Sequence, residues 1–213
     1  IWSILTLFYP AYIIPTPWDV LTNAWNQPPQ YLSHHLAVTL YRVLVGFSLS
    51  LLVGTLFGGL AFLQNWGAQL NSLMMALQVL PGTVLGVILL LMCGIGNATP
   101  ILLITLLVLP TLAVNTLNGL QKRNEKLEEY LISIRSKKSA IFSNVYLPIL
   151  VPVLQSNLSL GVGLAVKVVV LGEFIGTQDG LGYLLNNARI FINMKEVFFY
   201  LLILLVLAER RKW

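Results

Sequence analysis

From Gln121 to Tyr146 a polar, basic stretch interrupts a sequence that is otherwise nearly all apolar, and this alternation leaves few folds open. The stretch carries Lys122, Arg123, Lys126, Arg135, Lys137 and Lys138 against Glu125, Glu128 and Glu129. A bilayer-crossing helix takes about 20 mostly apolar residues, and runs of that kind lie on both sides. Hydrophobic residues make up 57% of the chain and charged residues 10%, where a soluble domain has about a quarter charged. The expected fold is all-α integral membrane, with five to six transmembrane helices in one domain over residues 1–213.

Hydropathy places spans at about Leu36 to Leu63, Leu70 to Met92, Ala98 to Leu117 and Leu147 to Glu173, with a last apolar run from Val197 to Ala208. Ile1 to Phe8 reads as the end of a first helix that begins upstream. The last run spans only about 18 Å at ~1.5 Å per residue, so either Asn193 to Glu196 is drawn into the membrane or, as favoured here, further residues are expected. Residues 1–35 form that incomplete helix plus an interfacial segment, and residues 36–208 form the core. Pro10, Pro15, Pro17, Pro28 and Pro29 prevent one continuous helix before residue 36. Trp18 and Trp25 suit the headgroup level, with a surface helix starting near Pro17.

The net charge of +5 is concentrated in 121–146 and at Arg210-Arg211-Lys212. Loops retained in the cytoplasm carry this bias. The expected partner is therefore the lipid bilayer rather than nucleic acid, with both termini cytoplasmic. Within 121–146, Leu127, Leu131 and Ile134 make an apolar stripe on a short helix, and Ile141, Val145 and Ile149 continue on a second. Arg135 to Lys138 forms the elbow of a two-helix knob. In the spans, Gly46, Gly54 and Gly58, and Gly161 with Gly163, would let helix backbones approach closely.

No catalytic set is visible. His34 and His35 are expected on a loop as interfacial residues, without a carboxylate at metal-ligand spacing. Cys93 stands alone, and no metal or phosphate-binding motif occurs. Two intramembrane charges remain, Lys167 and Glu173, and such residues are costly enough to count as functional candidates. Lys167 reads either as lining a polar path that favours an anion or as a lysine held by carbonyls. Glu173 reads as a path residue or as a structural one.

In order along the chain, Tyr41-Arg42-Val43-Leu44-Val45-Gly46-Phe47, Leu80-Pro81-Gly82, Gly94-Ile95-Gly96-Asn97, Pro110 with Asn115-Thr116, Leu147-Pro148, Glu173-Phe174-Ile175-Gly176 and Gly180-Leu181-Gly182 resemble the permeases of nitrate/sulfonate/taurine-type ABC importers. The resemblance implies a type I importer permease bundle in a bacterial inner membrane, with a cytoplasmic coupling loop at 121–146. It implies a second permease copy in a homodimer, an extracytoplasmic solute-binding protein, and cytoplasmic ATPase subunits that hold the ATP and Mg. The permease itself would bind no cofactor and catalyse nothing. The ATPase-docking residues implied are Glu125, Glu128, Glu129, Tyr130, Leu131, Ile134, Arg135, Ser136, Lys137 and Lys138. The family's Glu-Ala-Ala and following Gly fall on Glu129-Tyr130-Leu131 and Arg135, a departure at the docking elbow. Gly tolerates positive φ and Arg does not, so Ser136 or Ser139 is expected to turn the chain instead. The solute implied is small, an anion such as nitrate, a sulfonate or a bicarbonate-like species, or alternatively a heterocyclic vitamin precursor. An ion-coupled secondary transporter or a non-catalytic membrane scaffold is the reading from another class.

Overall fold

The computed structural model describes residues 2, 6, 8, 10 and 12–209. Among them every regular element is a helix: α1 Pro17–Asn26, α2 Pro29–Leu63, α3 Gly67–Val79, α4 Gly82–Cys93, α5 Ala98–Gln121, α6 Glu125–Ser133, α7 Lys138–Ile141, a π-helical turn Phe142–Tyr146, α8 Leu147–Gly176, α9 Leu181–Ile190 and α10 Met194–Glu209. The expected helix at Ile1 to Phe8 and the basic cluster at 210–212 lie, for the most part and wholly, outside the described residues. Three helical runs are long and apolar enough to cross a membrane: α2, α5 and the continuous run 138–176. The pair α3 and α4 makes a fourth if counted as one span.

The elements begin and end where local chemistry dictates. Pro17 opens α1 at the position where a missing N–H costs nothing. Thr16 and Asp19 cap that helix reciprocally, with the Asp19 N–H donating to Thr16 Oγ1 at 3.1 Å and Thr16 Oγ1 donating to Asp19 Oδ2 at 2.8 Å. Trp18 and Trp25 are exposed while Val20 is fully buried, so α1 is amphipathic as expected.

Three expectations are corrected. His34 and His35 stand in the first turns of α2, not on a loop, because Pro29 starts that helix earlier than the polar residues suggest. The run 70–92 is not one straight span. It breaks between α3 and α4, since Pro81 has no N–H to continue the ladder and disfavours helical Leu80. The end of the polar stretch is also not separate from the following span. Lys138 runs through the π turn into α8, and the wider turn accommodates the ring of Pro148 one turn later.

The chain falls into two compact units, residues 1–46, 82–104 and 165–213, and residues 47–81 and 105–164. In the first, Leu184, Ala188 and Tyr200 form a core cluster joining α9 to α10, α1 packs on α10, and Tyr200 accepts from Gln27 at 3.1 Å. Gly46 lies against α5 in this unit, where a Cβ would sit 2.8 Å from that of Ile104. In the second, Ala61, Leu70, Met74, Leu109, Ala113 and Leu117 pack together. Gly54 and Gly58 lie directly on the α5 backbone, with a Cβ on Gly58 only 2.5 Å from the Ala113 carbonyl. Gly161 lies against the Phe47 ring and Leu112, and Gly163 is buried.

Candidate functional site

In the first unit, His35, Thr39 and Arg42 are spaced i, i+4, i+7 along α2, which places them on one face. All three are buried, Arg42 to 1% exposure. Arg42 reaches three segments at once. Nη1 lies 2.9 Å from Glu173 Oε1 and donates to the Asp179 carbonyl at 2.9 Å. Nε donates to Asn97 Oδ1 at 2.8 Å, and Nη2 pairs with the Asp179 carboxylate.

Glu173 is fully buried, yet its oxygens are saturated with donors. Thr39 Oγ1 lies 2.9 and 3.0 Å from them, and the Gly182 N–H donates at 2.8 Å. The loop is held along its length: the Leu181 N–H donates to Thr39 Oγ1 at 2.8 Å and the Gly180 N–H to His35 Nδ1 at 2.9 Å. That last bond keeps Nδ1 of His35 unprotonated. Gly180 has φ +99°, and a Cβ there would overlap the Glu173 carboxylate, so the loop passes this close only because the residue is glycine.

Glu173 therefore binds Arg42 and not Lys167, in keeping with their opposed positions on α8. Sequence reading singled out Glu173 and missed Arg42, Thr39, His35 and Asp179. Arg42 sits inside an apolar span, which is the signal that would have found it. Lys167, by contrast, is exposed on α8 and has no hydrogen bond or ion pair among the described residues.

The polar stretch of the second unit folds into a knob tied down at its base. Asn124 caps α6 by accepting from the Leu127 N–H at 3.1 Å. Arg123 pairs with Glu128 at 2.5 Å, lies 3.5 Å from Glu125, and stacks 4.8 Å from the centre of the Phe62 ring. The Tyr146 hydroxyl donates to the other Glu128 oxygen. Burial alone would raise the Glu128 carboxyl, but the hydrogen bonds from Tyr146 and Arg123 outweigh it and hold the group below the usual carboxylate range. Glu128 is thus part of the tether, while Glu125 and Glu129 are exposed.

The elbow is built differently from the sequence expectation. Arg135 itself adopts φ +52°. The Ser136 N–H donates to the Leu131 carbonyl at 3.0 Å and the Arg135 N–H to the Ile132 carbonyl at 2.9 Å, the paired bonds of a Schellman cap with its left-handed residue at Arg135. Neither Ser136 nor Ser139 turns the chain, because two capped carbonyls repay the cost of a left-handed arginine. Arg135→Gly is expected to stabilise the elbow by about 1 kcal/mol, seen as slower amide exchange at Arg135 and Ser136; unchanged exchange would mean the arginine carries no strain.

The expected stripe also divides. Leu127 and Leu131 are half-buried and face inward, whereas Tyr130, Ile132 and Ile134 are exposed by 54% or more. Ser136 is half-buried, and Lys137, which precedes α7, and Lys138 are exposed.

A knob between apolar spans, a proline-broken span and a Glu-Phe-Ile-Gly end pinned by an arginine call for comparison with known proteins. The family of binding-protein-dependent transport system inner membrane components matches residues 46–208. The chain belongs to this family. It is an ABC transporter permease, a multi-pass membrane protein of the all-helical permease fold. The permease is 29% identical over 201 residues to a putative aliphatic sulfonates transport permease of Bacillus subtilis, covering 93% of this chain and 73% of the relative. It is 28% identical over 176 residues to the formylaminopyrimidine transport permease of Halalkalibacterium halodurans, covering 81% and 69%. A nitrate import permease of Synechococcus elongatus is 22% identical over 200 residues, covering 88% and 72%.

Proposed function

We propose that the permease provides half of the membrane path of an ATP-driven importer for a small polar solute. A second copy, most simply an identical one, supplies the other half. An extracytoplasmic binding protein delivers the solute, and ATPase subunits dock on the knob at 125–146, which faces the cytoplasm together with both termini. ATP and Mg belong to the ATPases. The observation that supports docking is the exposed pair Tyr130, on α6, and Ile134, at its C-cap, which lie away from the tether through Arg123, Glu128 and Tyr146, while Ile132 lies one turn from Glu128 on the tethered side. A rigid knob with an apolar outer face transmits a push from a partner to the spans it is tied to, which couples two states by rigid-body motion. Glu125, Glu129, Arg135, Lys137 and Lys138 surround that face as a charged rim.

Ile134→Asp is expected to lower recovery of the ATPase in a mild-detergent pull-down by about tenfold or more, since a buried interface residue contributes at least 1–2 kcal/mol. Undiminished recovery would remove the knob as the docking surface.

A second reading concerns the solute. Relatives carry names for sulfonates and nitrate on one hand and formylaminopyrimidine on the other. Lys167 is exposed within a spanning helix, where a charge facing lipid costs about 2.5–3.5 kcal/mol; a polar path is the cheaper surroundings, and a cation there favours an anion. Lys167→Met should then cut anion uptake about tenfold while the complex assembles normally. Unaltered uptake would leave the lysine without a part in solute passage.

A further inference from the structure

Exposed apolar side chains from three elements of the second unit converge on one crevice. Leu56, Leu60 and Leu63 recur at spacings of four and three and so share a face of α2. Ile132 comes from α6 and Phe142 from the π turn, and each of these side chains is exposed by 51% or more. Together they line a cavity of about 650 Å³, within the range of about 300–1,000 Å³ that takes up an organic ligand. Its wall is bare at Gly59, where an added Cβ meets nothing within 4 Å. Leu56 belongs to an apolar span, whereas Ile132 and Phe142 belong to the polar stretch. The crevice thus runs from the hydrocarbon towards the headgroup level.

Most polar side chains in the lining make no demand on an occupant. Glu128 accepts from Arg123 Nε at 2.5 Å on one oxygen and from the Tyr146 hydroxyl on the other. Thr116 Oγ1 donates to the Leu112 carbonyl at 2.8 Å and accepts from Asn157 Nδ2 at 2.9 Å. Thr55 Oγ1 is buried and presents no surface to the cavity. The exception is Lys138, which lines the same cavity, is exposed, and has no side-chain hydrogen bond or ion pair among the described residues. With Glu128 neutralised by Arg123, the crevice offers apolar walls along its length and one uncompensated cation at its rim. A second permease copy pressed over this face would bury that ammonium without a counter-charge. A lipid with a negative headgroup covers the apolar side chains with hydrocarbon and brings a phosphate to the lysine.

We propose that this crevice is a binding site for an anionic phospholipid of the cytoplasmic leaflet. One acyl chain lies between the α2 leucines, Ile132 and Phe142, and the phosphate meets Lys138. The bound chain braces the knob against α2 beside the tether through Glu128. Placement at the cytoplasmic leaflet rests on the importer reading above, while the apolar walls and the cation do not depend on it.

The test uses the full chain, purified with the subunits that accompany it and reconstituted into phosphatidylcholine vesicles. These contain a trace of phosphatidylglycerol with a diazirine on one acyl chain. After irradiation, labelled peptides are identified by mass spectrometry, with the peptide carrying Leu201 and Leu205, exposed on α10, as reference. Peptides carrying Ile132 and Phe142 are expected to label about tenfold more than the reference. The same diazirine on phosphatidylcholine should label them about fivefold less, the contribution of one cation at an anionic lipid. Lys138→Gln should abolish that headgroup preference. Gly59→Phe, whose ring would occupy the cavity, should cut labelling by either probe about tenfold, as the lost burial of about two methylenes already does. Labelling no greater than at the reference overturns the site, as does labelling that Gly59→Phe leaves unchanged. Equal labelling by the two probes in the parent chain, or a preference that survives Lys138→Gln, overturns the anionic headgroup. Displacement of the probe by soluble glycerol 3-phosphate would assign the lysine to a free phosphate ester and overturn the lipid. Should Gly59→Phe fail to assemble, the headgroup comparison and Lys138→Gln decide alone. Failure of the importer reading shows separately, as absence of the ATPase from the purified complex, and leaves the labelling readable.

Discussion

Replacing Arg42 with methionine is expected to destabilise the chain by about 3–5 kcal/mol, because it strands a carboxylate. Glu173 is fully buried and Arg42 is its cationic partner at 2.9 Å. Without the guanidinium, the Asp179 carbonyl and Asn97 also lose their donor, so the turn at 94–97 and the loop at 177–182 come loose together. Lysine should not rescue the substitution, since one ammonium cannot reproduce a planar fork that serves three segments. The double replacement Arg42→Met with Glu173→Gln should recover part of the loss by removing the unpaired charge. Thermal unfolding of the detergent-purified protein measures all three. A single variant as stable as the parent would mean that the cluster contributes little, and a double variant no better than the single would place the cost in packing instead of charge.

The second large effect compares neighbouring glycines. A Cβ on Gly58 would lie 2.5 Å from the Ala113 carbonyl and 2.8 Å from the Thr116 Cβ, whereas a Cβ on Gly59 meets nothing within 4 Å. Gly58→Ala is therefore expected to cost about 1–3 kcal/mol by prising α2 from α5. Gly59→Ala should be neutral or stabilising by up to about 1 kcal/mol, as alanine is the better helix former. Unfolding midpoints of the two variants decide the point. Equal midpoints would show that α2 and α5 do not need that close approach.

Much of this was readable in the residues. Apolar runs near the length of a bilayer crossing, the glycine spacing of α2, Pro17 as a helix start and the two-piece knob all follow from periodicity and backbone chemistry that act within a few residues. Other features were not. Pro81 was visible in the sequence, but whether it merely kinks a span or ends a helix, as it does after Val79, depends on the packing around it. Arg135 at φ +52° contradicts a sound local rule, because two capping bonds to Leu131 and Ile132 offset the strain.

The sequence by itself determined the class of this protein: an all-helical membrane chain with one basic knob, since hydrophobicity, charge and helix period are sums over neighbouring residues. Only the tertiary structure decided which polar residues meet. Arg42 is 131 positions from Glu173 and 137 from Asp179, and Asn115 is 42 from Asn157. Nothing in local propensity encodes such pairings. They arise because a polar group inside a membrane protein must find its partner wherever the packing of apolar faces brings one within reach.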